Sequence, residues 1–306
     1  MKHNWKITGI IIAMFLITQL IGIWIVNSYQ TQTLPYGMQP PEEIKQVEGT
    51  GLLIQIMISF AFAIFLLFIL TKIKAEKFLR AWFFIVTILA ISLTLNVVLF
   101  KMNLIHASII AVVIALPLAF FKIFKRNILI HNITELMIYP GIAAVFVSIL
   151  GVLGIILLLL AISLYDIWAV WHSGFMQKMA KYQMNTLKVF GGFFIPYIKR
   201  HDRVKIKNIK QKYKGKSEKI MENAFKKAKI KINLAILGGG DIVFPIIASG
   251  VFLKVYGVGS ALIIALSASL GLLYLLINSE KGKFYPAMPF LTIAMYIGMV
   301  ISWLLF

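Results

Sequence analysis

The stretch INLAILGGGDIVFPIIASGVFLK, residues 232–254, decides how this chain is read. It is apolar over a length that crosses a bilayer, for which about 20 residues suffice. Three consecutive glycines and one carboxylate, Asp241, interrupt it. An ionisable side chain at that depth is expensive and marks a functional candidate. Of the 11 acidic residues, one other is expected well inside an apolar run: Asp166, in ISLYDIWAV at 162–170.

The 306 residues are 60% hydrophobic and 14% charged, with mean hydropathy +0.89. Apolar segments of about 18–22 residues recur along the chain and predict an all-α polytopic membrane protein. There is no cysteine, which excludes disulfides and thiolate metal sites. A formal charge of +20 would suit nucleic acid, but no folded soluble domain carries such a role. Basic cytoplasmic loops explain the charge better.

Nine spans are expected, at about 7–26, 51–71, 81–100, 104–121, 133–150, 151–171, 232–254, 258–277 and 286–306. Gly151 and Gly154 mark the turn between the fifth and sixth, which no polar spacer separates. The chain then has three parts. Residues 1–171 carry Asp166 in the sixth span, and 232–306 carry Asp241 in the seventh. Between them, 172–231 is a basic cytoplasmic loop with 17 Lys or Arg, partly amphipathic helix and partly flexible. If the N-terminus is cytoplasmic, 28 of the 31 basic residues face the cytoplasm, and only Lys45, Lys101 and Lys254 lie outside. The N-terminus is therefore expected inside and the C-terminus outside.

Helix rise puts Asp166 about 8 Å, and Asp241 about 13 Å, from the cytoplasmic ends of their spans. Two consecutive antiparallel helices would bring both carboxylates to similar depth. Gly238 and Gly240 would let the backbones approach and leave room for a substrate backbone. Such carboxylates share a proton, as in aspartic proteases. One would activate water while the other protonates a peptide carbonyl; the pair alone does not assign the roles.

Gly238-Gly239-Gly240-Asp241 forms a G-x-G-D motif, Tyr165-Asp166 is its usual partner, and Pro286-Ala287-Met288 resembles a Pro-Ala-Leu element. With these three in order, the chain resembles the presenilin and signal peptide peptidase family of intramembrane aspartyl proteases, in the manner of a microbial presenilin homologue. Ala169 and Val170 follow the first aspartate as in presenilins, while Ile242-Val243 and Pro245 after the second are nearer signal peptide peptidases. The chain departs from the pattern at Gly239 and Met288, where the family usually has leucine. The expected orientation resembles that of presenilins, which implies single-span substrates with an external N-terminus, cleaved in the cell membrane. No cofactor is implied.

Before the seventh span, Lys229-Ile230-Lys231-Ile232 alternates charge and β-branched residues. Ile230, Lys231 and Ile232 are expected to hold an unwound substrate by strand pairing, beside the plainer reading of an interfacial anchor. Trp171, Phe175, Met176, Met179 and Leu187 among Lys178, Lys181 and Lys188 suggest an amphipathic surface helix. The basic run 199–219 would lie near anionic lipid headgroups. Whether copies associate into a homo-oligomer stays open.

The five histidines are scattered and no H-E-x-x-H occurs, so a zinc protease finds no support and no metal is expected. Ile247 stands where a serine motif ending in Ser249-Gly250 needs glycine. Two rivals share the buried carboxylates: a prepilin-type peptidase, typically with fewer spans, and a proton-coupled transporter or ion channel. The lack of an internal repeat counts against the transporter.

Overall fold

A computed structural model describes residues 5–39, scattered positions within 51–73, and residues 75–125, 127–172, 179, 182–187, 189–198, 232–280 and 285–306. It falls into a helical unit, Met1–Phe193 with Leu237–Phe306, and a small unit, Phe194–Ile236.

The helices of the first unit are α1 (Trp5–Tyr29), α2 (Glu76–Lys101), α3 (Ala107–Phe124), α4 (Ile128–Ile149), α5 (Val152–Ile167), α6 (Gly239–Asn278) and α7 (Met288–Leu305). A π-helical turn, Trp168–His172, continues α5. Among the described residues these seven helices are long and apolar enough to cross a membrane. The second expected span, 51–71, lies partly outside the described residues; its described positions are helical.

At 40 residues α6 is twice too long for one crossing; straight, it would run about 60 Å. Gly257 breaks it with φ 84° and ψ −174°, a conformation essentially reserved for glycine. The break falls between the expected seventh and eighth spans. Gly151 caps α5 directly after α4 ends at Ile149, so the fifth and sixth spans also divide where the glycines predict.

Helix α6 touches α1, α4, α5 and α7. Ile242, Ile246, Ile247, Ala248 and Val251 of its first half are almost wholly enclosed. Helix α3 buries Ala107, Ala111, Ala115 and Ala119, one per turn, while Ile109, Val113, Leu116 and Phe120 stay exposed. An alanine stripe lets this helix lie close to α2 and keeps branched side chains for lipid. Gly141 of α4 does the same against α2: a Cβ there would strike the Ala90 carbonyl oxygen.

Two strands follow the π-helical turn Gln183–Leu187: β1 (Gly192–Ile198) and β2 (Ile232–Gly238), paired in one sheet. The Gly239 N–H donates to the Gly191 carbonyl at 3.2 Å, so the start of β1 meets the end of β2 and the pair is antiparallel. In β2, Ala235 and Leu237 are buried while Leu234 and Ile236 are 41% and 40% exposed, a period-two alternation.

This corrects the expected seventh span, which begins as a strand and turns helical only at Gly239. The loop 172–231 likewise contains a strand. Pro196 argues against a strand in sequence, but a two-stranded sheet consists of edges, where proline is tolerated. Of the expected pairing segment, Ile230 and Lys231 lie outside the described residues and Ile232 begins β2. Phe175, Met176 and the three lysines of the expected amphipathic helix, and the run 199–219, also lie outside them.

Gly141→Ala should destabilise the protein by about 1–3 kcal/mol, the usual effect of overpacking. Thermal unfolding in detergent measures it, and an unchanged midpoint would refute the close approach of α2 and α4.

Candidate active site

Helix α7 opens with a capping problem. Its first N–H groups have no partner within the helix, its N-cap residue Ala287 has no side-chain acceptor, and Pro289 has no N–H. Asp166 of α5 supplies what is missing. Its Oδ2 accepts the Met288 N–H at 3.0 Å, and the carboxylate takes a further backbone bond at Ala287. Only 3% of Asp166 is exposed, and Pro286 and Met288 are buried beside it. Two more bonds continue the α5–α7 seam: Ser163 Oγ donates to Thr292 Oγ1 at 2.7 Å, and Tyr296 Oη donates to the Ile156 carbonyl at 2.6 Å. Tyr165 is half-buried, its ring 6.4 Å from that of Trp168.

Asp241 also stands at a helix N-terminus. Gly238 is the N-cap of α6, which makes Asp241 the third helical residue. Its carboxyl group reaches back to the Gly238 backbone, half of a capping box, whose reciprocal bond a glycine N-cap cannot make. Pro245 provides no N–H for the Asp241 carbonyl four residues earlier. Gln19 of α1 donates from Nε2 to the neighbouring Ile242 carbonyl at 3.0 Å and pins this turn. The charge of Asp166 acts on Asp241, so the two carboxyl groups share one electrostatic environment.

Asp241 is therefore in the first turn of its helix, not nine residues inside one, because the strand before it takes up that length. The glycines also divide their work differently from expectation. A Cβ at Gly240 would meet only the Phe244 ring, at 3.7 Å, and one at Gly238 would lie 3.1 Å from Asp241 Oδ2. The tight position is Gly239, where a Cβ would lie 2.9 Å from the Tyr139 hydroxyl of α4. Gly240 is exposed.

Sequence reasoning missed a third buried carboxylate. Glu135 of α4, 1% exposed, pairs with Lys122 of α3. His131 Nε2 donates to the Gly192 carbonyl at 2.7 Å, leaving Nδ1 to accept from Lys122 Nζ at 3.5 Å. Lys122 reads as a loop cation and Glu135 as a span-end residue; the short turn joining their helices was the available signal. Among the described residues no cluster of His, Asp and Glu is arranged to hold a metal ion.

A profile of the signal-peptide peptidase and presenilin aspartyl protease family matches residues 12–306. The chain belongs to this family. Its fold is presenilin-like: two structures of a presenilin family intramembrane aspartate protease, from C222 and P2 crystals, superpose with TM-scores of 0.58 and 0.57. Their identities are 16% and 19%; the first match covers 98% of this chain and 99% of that one, the second 97% of each. A search of curated proteins finds no match. This presenilin-type protein is thus an integral, multi-pass membrane protein.

Asp166→Leu strands two N–H groups at the α7 terminus and should lower stability by about 1–3 kcal/mol. Asp166→Asn keeps an acceptor oxygen and should stay close to the parent. Equal thermal unfolding of the two variants would refute the capping role.

Proposed function

We propose that this protein hydrolyses peptide bonds within transmembrane segments, with Asp166 and Asp241 as the general acid and base. The reading is supported by two carboxyl groups that each hold a helix N-terminus, the charge of Asp166 acting on Asp241. One carboxylate takes a proton from water, whose oxygen attacks the scissile carbonyl carbon. The other carboxyl group gives its proton to the carbonyl oxygen, and a tetrahedral diol forms. Proton transfer to the amide nitrogen then releases amine and acid. Gly238-Gly239-Gly240-Asp241 serves as the G-x-G-D motif, Tyr165 flanks the first aspartate, and Pro286-Ala287-Met288 holds it.

A helical substrate must unwind before attack. An extended stretch adds to a free sheet edge through main-chain bonds, and we assign that role to Ile230, Lys231 and Ile232, the last of which begins the strand entering α6. The exposed Gly240 leaves space for the substrate backbone. The charge distribution supports a cytoplasmic N-terminus, a C-terminus outside and nine spans in the cell membrane, the basic 172–231 segment lying against anionic lipid. Substrates then have an external N-terminus. The same three chain parts serve as scaffold with the first aspartate (1–171), surface loop (172–231) and second-aspartate bundle (232–306).

Asp166→Asn and Asp241→Asn should each abolish cleavage of a reconstituted transmembrane peptide, and an aspartyl-protease transition-state inhibitor should block the parent. Normal cleavage by both variants, or ion movement without cleavage, would defeat the assignment. Proline at Ile230 or Ile232 removes one strand N–H and should impair turnover at unchanged expression; parental turnover would discard strand pairing.

A further inference from the structure

Helix α4 carries two buried polar elements that the two-aspartate chemistry does not use, one of which reaches the turn before Asp241. The first is the Lys122–Glu135 pair, 8% and 1% exposed. A buried ion pair is weak support for stability, since well-packed apolar replacements are often as stable. Its retention inside a membrane bundle points to another use. The second is Tyr139, one helical turn after Glu135 and so on the same face of α4. It is 4% exposed. Its ring stands edge-on to Phe193, with centroids 6.0 Å apart, and its hydroxyl points at Gly239.

That hydroxyl has no hydrogen-bond partner among the described residues. Leaving a buried hydroxyl unsatisfied costs about 1–3 kcal/mol. Its O–H is drawn first by the Glu135 carboxylate, within loose hydrogen-bonding reach but without the geometry of a formed bond, and more weakly by Asp241. A cavity of about 160 Å³ adjoins it, lined among others by Lys122, Glu135, Tyr139, Gln183 and Gly191. Water occupies roughly 30 Å³ per molecule and needs two to four polar partners. The cavity meets both conditions.

We propose that Tyr139 is a positioning residue for Asp241, its hydroxyl linking that carboxyl group to the buried Lys122–Glu135 pair through water held in this cavity. The proposal rests on Asp166 and Asp241 being the catalytic pair. The phenol donates toward a carboxylate oxygen of Asp241 and accepts from cavity water, which Glu135 and Lys122 orient in turn. Among the described residues Asp241 holds the Gly238 backbone, a contact that by itself fixes one carboxyl oxygen. The phenol restricts the other and aims the carboxyl group at Asp166. A Cβ at 239 would lie 2.9 Å from this hydroxyl, so any side chain there would force the ring to shift.

Tyr139→Phe keeps the ring and removes only the hydroxyl. In the full-length protein, reconstituted with a model transmembrane peptide, kcat should fall about tenfold or more. KM should stay within about twofold and the unfolding midpoint should not move. Parental kcat overturns the proposal, and so does a loss of kcat with a matching fall in the midpoint, which marks a packing role. Asp241→Asn is assayed in parallel. An inert Asp241→Asn beside a fully active Tyr139→Phe removes the proposal alone, whereas cleavage by Asp241→Asn removes the catalytic pair and the proposal with it. Should Tyr139→Phe not fold, Gly239→Ala, which displaces the hydroxyl, is expected to show the same split between kcat and KM; unchanged kcat would be equally fatal.

Discussion

The carboxylate of Asp166, accepting the first N–H groups of α7, is the contact on which the C-terminal bundle depends. A helix end buried inside the protein has no water to satisfy it, and each open donor is costly. The bond fixes where α7 begins against α5, and the Ser163–Thr292 and Tyr296–Ile156 bonds extend the same antiparallel register. Ala287 and Pro289 matter for what they lack: an alanine cannot cap the helix and a proline has no donor to share. The carboxyl group proposed for catalysis is therefore also a structural one, and its place in the bundle is set by backbone geometry.

The second carboxyl group is located by a change of secondary structure. Strand β2 alternates inward and outward side chains up to Leu237, and the three glycines then let the chain turn into helix at Gly239. Had the helix run through from Ile232, Asp241 would sit more than two turns inside it, with no free N–H nearby. Starting the helix late gives it the Gly238 backbone as a partner. Gln19 secures the turn from α1, so the N-terminal half of the chain takes part in the site.

Much of this was legible in the sequence because membrane physics leaves few options. Apolar length set the seven described helices, Gly151 divided α4 from α5, and the two aspartates within apolar runs stood out against a background that excludes charge. The strands were not legible: INLAIL is apolar enough to pass for the start of a span, and Pro196 masks β1. Glu135 and Lys122 were missed because charges near span ends ordinarily reach for the interface, whereas here a tight helical hairpin folds them onto each other. Tyr139 gave no signal at all. A tyrosine in an apolar run is unremarkable until its hydroxyl is known to be enclosed. The glycines were noticed for close approach, and the approach to another helix falls at Gly239, since only the fold tells which one faces a ring.

The contact between Tyr139 and Gly239 constrains how this protein can change over time. The α4 ring borders the volume a side chain at 239 would need, so the two positions share bulk and enlarging one shifts the other. A larger residue at 239 is accommodated most easily where the phenol has been trimmed, and the phenol where 239 is glycine.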